Sequence, residues 1–267
     1  MSVAGSWYPR DPETLAAEVD RYVAGADAVA PAAPPAAIIA PHAGLMYSGP
    51  VAAFAYTLTR GRRYRAVVLI GPSHFVAFRG VSLWQAGSWE TPFGMLTVDR
   101  DLAGSLRAES DEFVENAAAH GREHSLEMQL PFVARLLPEV PIVPLVMGYQ
   151  TRETAMAVGD AVARAIAAYD DVLLVASSDL SHFEDAGTAA QLDAVVIRHV
   201  EAMDPDGLMT ALEGNPRHAC GGGPMVSVLQ AVRRRGARSA RVLRYADSGD
   251  VSGDKSSVVG YMAAAIW

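Results

Sequence analysis

The chain is 267 residues long, 51% hydrophobic and 19% charged, which is enough apolar material for one sizeable domain spanning residues 1–267. Its formal net charge of −8 and pI near 5.3 argue against a nucleic-acid partner, because neutralising phosphates requires clustered Lys and Arg. A single cysteine excludes an internal disulfide, no run of about 18 apolar residues can span a bilayer, and the opening residues lack a signal-peptide pattern, so a cytoplasmic protein without a membrane partner is expected.

Residues 12–24 show helical periodicity in Leu15, Val19 and Val23, and the Ala/Pro-rich stretch 26–35 reads as a surface crossing. An apolar run over 36–41 predicts a first strand that ends at His42. Ser48 and Pro50 predict the N-cap and an early position of a helix reaching Thr59. Residues 66–71 form the second predicted strand, which runs through Pro72 and Ser73 into His74. Shorter strands are expected at 81–85 and 95–99, around the turn signal Thr91-Pro92-Phe93-Gly94.

From 123 to 137, Leu126, Leu130, Val133 and Leu137 mark one helical face, which Pro131 kinks or restarts, with His124 at its beginning. A buried strand at 141–147, an Ala-rich helix at 151–168 and a strand at 172–176 lead to Asp179 and His182. Helices follow at 186–203 and 206–213. Gly221-Gly222-Gly223-Pro224 opens another, whose closing Arg233-Arg234-Arg235 suits the helix dipole rather than a binding patch. Strands at 240–245 and 257–266 complete the chain. Such alternation predicts an α/β three-layer sandwich, a mostly parallel or mixed sheet with helices on both faces.

In sheets of this kind ligands gather at the carboxyl ends of the strands. His42, His74 and Cys220 would form a three-ligand metal set with open positions there, since imidazole and thiolate suit copper, iron and zinc. Cys220 lies just before the positive end of a helix, which favours thiolate; the competing reading is a small buried hydrophobe. Asp179 and His182 read either as a helix cap with a surface imidazole or as an acid/base pair in which the carboxylate orients the ring. His124 is open between an exposed helix start and a site residue. No dinucleotide fingerprint, Walker loop or nucleophile elbow is present.

Ala4-Gly5-Ser6-Trp7-Tyr8-Pro9, Ala40-Pro41-His42-Ala43-Gly44, Gly71-Pro72-Ser73-His74, Glu123-His124-Ser125-Leu126-Glu127-Met128, Ser177-Ser178-Asp179-Leu180-Ser181-His182 and Cys220-Gly221 together resemble the Memo family. The matches run in order through nearly the whole chain. Bacterial and archaeal members are often labelled AmmeMemoRadiSam system protein B, and the family's fold resembles that of LigB-type class III extradiol ring-cleavage dioxygenases. The resemblance implies that His42, His74 and Cys220 bind copper or iron. It implies that His124, Asp179 and His182 are pocket residues serving catalysis. Cys220 stands where the related dioxygenases carry a carboxylate ligand, a departure from the ring-cleaving pattern.

Three functions follow as expectations. The first is a metal-dependent redox enzyme on a small-molecule substrate, with His182 moving protons and Trp7 and Tyr47 as aromatic walls of the substrate site. The second is a non-catalytic metal- or peptide-binding module using the same cleft. The third, less favoured, is a zinc-dependent hydrolase.

Overall fold

The computed structural model describes residues 1–27 and 33–267, so part of the 26–35 crossing lies outside the described residues. Strands form where aliphatic and β-branched residues run together: β1 (Ala37–Ala40), β2 (Ala66–Pro72), β3 (Val81–Leu83), β4 (Ser88–Thr91), β5 (Gly94–Thr97) and β6 (Phe113–Val114). They continue as β7 (Ile142–Met147), β8 (Val172–Ser177), β9 (His182–Glu184), β10 (Ala240–Asp247) and β11 (Val258–Ile266). Between them lie α1 (Pro12–Gly25), α2 (Leu45–Thr57), α3 (Arg100–Glu109), α4 (Ala117–Gly121) and α5 (Leu130–Leu136). The second half carries α6 (Arg152–Ala165), α7 (Ala186–Glu201), α8 (Pro205–Gly214), α9 (Gly222–Arg234) and α10 (Gly249–Ser252).

The main sheet has the order β10-β11-β1-β8-β2-β7-β3-β6, and β9 pairs with β11. β1, β8, β2 and β7 are parallel neighbours, while β11 on β1, β10 on β11 and β3 on β7 are antiparallel. The fold is thus α/β with a mixed, mostly parallel central sheet between helical layers. Every residue of the four parallel strands is buried, because alternate side chains enter different cores. Ile38, Leu69 and Val175 pack with Leu15, Tyr56 and Phe132 of α1, α2 and α5. Ile39, Ile70 and Leu174 face Val158, Val162 and Leu229 of α6 and α9. No helix among the described residues is long and apolar enough to cross a membrane.

Two helix starts differ from expectation. α2 begins at Leu45 rather than beyond Ser48, and the Ser48 hydroxyl bonds back to the Ala43 carbonyl instead of capping. The helix expected over 123–137 is a short 3-10 turn, Glu127–Gln129, followed by α5, in which Pro131 occupies the first turn without a kink. Residues 123–126 are drawn out of helix because their polar groups bond elsewhere. Ser125 Oγ reaches the Pro72 carbonyl, and its N–H donates to Glu123. At the far end, Arg234 pairs with Asp160 and Arg235 donates to carbonyls of Ile166 and Tyr169, so these arginines tie α9 to α6.

The parallel core sets the site. Ala40 lies opposite Ser177 across β1 and β8, and Pro72 opposite Met147 across β2 and β7. All four strands therefore deliver their following loops to one edge, where His42, His74 and Asp179 emerge.

Candidate metal centre

His42 leaves β1 almost fully buried, 1% exposed, and its Nδ1 lies 2.9 Å from Ser177 Oγ. Ser177 has one proton to give, and it goes to the Ser125 carbonyl at 2.6 Å, because two oxygens that close must share a hydrogen. The same hydroxyl accepts from Gln129 Nε2, whose other donor bond goes to the Pro41 carbonyl. Ser177 Oγ must therefore accept from His42 Nδ1–H. This leaves the lone pair of His42 on Nε2, facing the cleft, where the Cys220 Sγ stands at 3.2 Å.

Glu123 does the same for His74. Its carboxylate accepts from the His74 backbone N–H at 2.6 Å and from His74 Nδ1 at 2.8 Å, so the free lone pair is again on Nε2. His124 stacks on His74 with centroids 4.4 Å apart and rings 20° from parallel, and both cross the His42 ring nearly edge to face. His42, His74 and His124 each offer a ligand nitrogen within 4.8 Å of the others. His124, expected through the resemblance as a pocket residue serving catalysis, is the third member of this imidazole group. Cys220 touches His42 but does not belong to that mutually close group.

The predicted Asp179–His182 pair takes a different form. Asp179 Oδ1 accepts from the backbone N–H of His42 at 2.7 Å and of Ala43 at 3.3 Å, so the carboxylate braces the His42 loop. The His182 ring is oriented by the Leu180 carbonyl, 2.8 Å from Nδ1, which fixes Nδ1 as donor and leaves Nε2 a lone pair. The surroundings of Cys220 oppose the thiolate that its place before a helix was expected to favour. Burial, and then the charge of Asp179, push the Cys220 thiol well above its ordinary range. The helix end offers little relief, since Gly221 N–H is taken by Ser178 Oγ and Gly223 N–H by Gln150.

The Trp7 ring stands 4.4 Å from the His124 ring. It is held there by Glu127, a buried carboxylate that accepts from Ser2 N, Ser2 Oγ, Val3 N and Tyr8 Oη and so ties down the N-terminal segment. Tyr47 instead lines a cavity of ≈ 460 Å³ with Arg21, Phe54 and Arg244. Sequence reasoning missed Glu123, Glu127, Gln129 and Ser177 as supporting groups. The available signal was a run of polar residues, from Glu123 to Gln129, breaking an apolar helical face.

Burial disfavours protonation of His42 and His124. Burial, then the neighbouring rings, hold His42 well below its ordinary value, and burial followed by His74 lowers His124 to about 4. Burial opposes the charge of Glu123, yet the hydrogen bonds from His74 and Ser125 hold its carboxyl down to about 2. Three close imidazoles, with Nδ1 of His42 and of His74 already engaged, fit a borderline transition metal. A pH prediction follows from His124. Its folded value lies below the unfolded one, so the unfolded chain takes up the proton first and acid favours unfolding. Relative to His124→Gln, the metal-free protein is expected to lose stability as pH falls from about 6.5 to about 4. Urea midpoints that stay parallel for the two proteins across that window would contradict it.

The profile of the Memo family, described as Memo-like protein, matches residues 1–265. A MEMO1 family protein of Methanothermobacter thermautotrophicus is 40% identical over 270 residues, covering 97% of both chains. One from Thermotoga maritima is 37% identical over 234 residues, covering 87% of this chain and 83% of its own. A crystal structure of an uncharacterized protein from Escherichia coli K12 shares the fold, with a TM-score of 0.58 at 16% identity over 85% of this chain and 98% of that one. With the profile spanning nearly every residue and full-length relatives at this identity, the chain belongs to the Memo family.

Proposed function

We propose that the chain is a metal-binding redox enzyme that holds a copper or iron ion with His42, His74 and His124, with Cys220 beside His42, and acts on a small substrate. The observation that carries this reading is the set of three imidazole nitrogens within 4.8 Å of one another, two of them fixed as lone pairs by Ser177 and Glu123. A bound copper or iron ion supplies one-electron chemistry to such a site. His182 offers Nε2 as the proton acceptor, held in that tautomer by Leu180. Trp7 and Phe75 flank His124 and screen that side of the cleft from water. If Cys220 joins the metal, its thiol proton leaves on binding, so uptake through sulfur releases acid.

The same mouth supports a second reading, a module that binds a metal or a peptide without turnover. Trp7, Phe75 and Phe183 are exposed large apolar residues beside His124 and His182, which suits the docking of an apolar side chain. The test is metal analysis and oxygen uptake on anaerobically purified wild type, His124→Ala and Cys220→Ser. Copper or iron lost in His124→Ala and kept in Cys220→Ser is expected from the three-imidazole set. Loss in Cys220→Ser alone would move the third ligand to sulfur. Metal binding without oxygen uptake would favour the module, and zinc as the resident ion would favour a hydrolase.

A further inference from the structure

The segment that leads into His182 is tied down from two sides. On β11, the Gly260 carbonyl accepts from Leu180 N–H at 2.8 Å, and Gly260 N–H donates to the Ser181 carbonyl at 2.9 Å. Between these bonds lies the peptide group joining Leu180 to Ser181. Its C=O accepts from His182 Nδ1–H at 2.8 Å, and its N–H donates to Asp193 Oδ1, also at 2.8 Å. Asp193 belongs to α7 and is 0% exposed, on a buried face it shares with Ala189, Val196 and Val200. A carboxyl group there is costly unless bonded, and its second oxygen accepts from Tyr245 Oη at 2.8 Å. The close approach requires glycine at 260, where a methyl would stand 2.0 Å from Asp193 Oδ2. Burial raises the Asp193 carboxyl, a rise that the bonds from Ser181 and Tyr245 oppose.

A trans peptide sets its N–H and C=O on opposite sides, so negative charge beside the N–H strengthens the C=O as an acceptor. Resting on the reading of His182 as the proton acceptor, we infer that Asp193 is its positioning residue, acting through the Leu180–Ser181 peptide to keep the ring proton on Nδ1 and leave Nε2 free. In the other tautomer a lone pair of Nδ1 would face the Leu180 carbonyl oxygen, and the Asp193 carboxylate makes that repulsion larger. The ring-orienting part read from the sequence for Asp179 thus falls to Asp193, one peptide group away, while Asp179 braces the His42 loop.

The tautomer is read from the ring-nitrogen NMR shifts of His182, assigned with His182→Gln, in the full chain without metal at about pH 8, above the ordinary imidazole range. Nδ1–H is expected to dominate in the wild type. Asp193→Asn keeps an acceptor for Ser181 N–H but removes the charge, so the ratio of Nδ1–H to Nε2–H should fall by roughly threefold. Tyr245→Phe strips Asp193 of its other bond and leaves the one to Ser181, so the ratio should hold. An equal fall in Tyr245→Phe would reduce Asp193 to a packing role and overturn the inference. So would Nε2–H dominance in the wild type, or an unchanged ratio in folded Asp193→Asn. If Asp193→Asn does not fold, the wild-type Ser181 amide proton decides: a shift well downfield, as a charge-assisted bond gives, is expected, and an ordinary shift overturns the link. None of these readouts needs metal or turnover, so absent oxygen uptake would sink the redox reading and leave the link from Asp193 to His182 standing.

Discussion

His42→Ala is expected to lower metal affinity by at least about 100-fold, beyond the loss typical of removing a residue that merely supports a ligand. The fold should survive the change. Ser177 Oγ would still donate to the Ser125 carbonyl and accept from Gln129, so no strong donor or acceptor is left without a partner. The Cys220 thiol loses only a weak contact to Nε2. Metal titration monitored by calorimetry, alongside a urea melt, separates the two effects. Undiminished stoichiometric uptake by a folded His42→Ala protein would remove His42 from the ligand set and with it the proposed centre.

Gly221→Ala is expected to destabilise the protein by about 3 kcal/mol, the upper part of the range for forcing extra volume into a packed interior. A methyl group there would stand 2.4 Å from the Ser177 carbonyl oxygen and 2.7 Å from Ser178 Cβ, and the nearer of these is backbone that cannot rotate away. The cause is contact, since the φ of −108° at Gly221 is open to any residue. Relief must come from moving either α9 or the end of β8, and the end of β8 carries the hydroxyl that fixes the His42 tautomer. A drop in the melting midpoint of roughly 10 °C should therefore come with weaker metal uptake. Gly104→Ala is the control of opposite sign. It lies inside α3 with no atom within 4 Å of its added methyl, so it should stabilise by about 0.5–1 kcal/mol. An unchanged midpoint in Gly221→Ala would mean that the β8–α9 junction yields freely.

The strands of the core were legible because burial on both faces demands unbroken aliphatic runs, and 36–41, 66–71, 141–147 and 172–176 all have them. Short or half-exposed elements were not. α3 escaped notice because only Leu102, Ala103 and Leu106 are buried among ten residues, although Asp99 does cap it. β9 has three residues, and Phe183 within it adopts a φ of 62°, so neither length nor alternation announces it. Glu123 and Glu127 read as the polar side of a helix. In the fold they are a buried brace for His74 and a clasp for the N-terminal segment.

By itself the sequence determined the layered α/β architecture and the placing of His42, His74 and Asp179 just beyond strand ends, since hydrophobic patterning and chain punctuation are local properties. Tertiary structure decided what those side chains are chemically. The tautomer of His42 depends on Ser177, 135 positions away, and the acceptor facing the Cys220 thiol is a ring 178 positions away. Desolvation and hydrogen-bond partners set protonation, and both arise only when distant segments exclude water together.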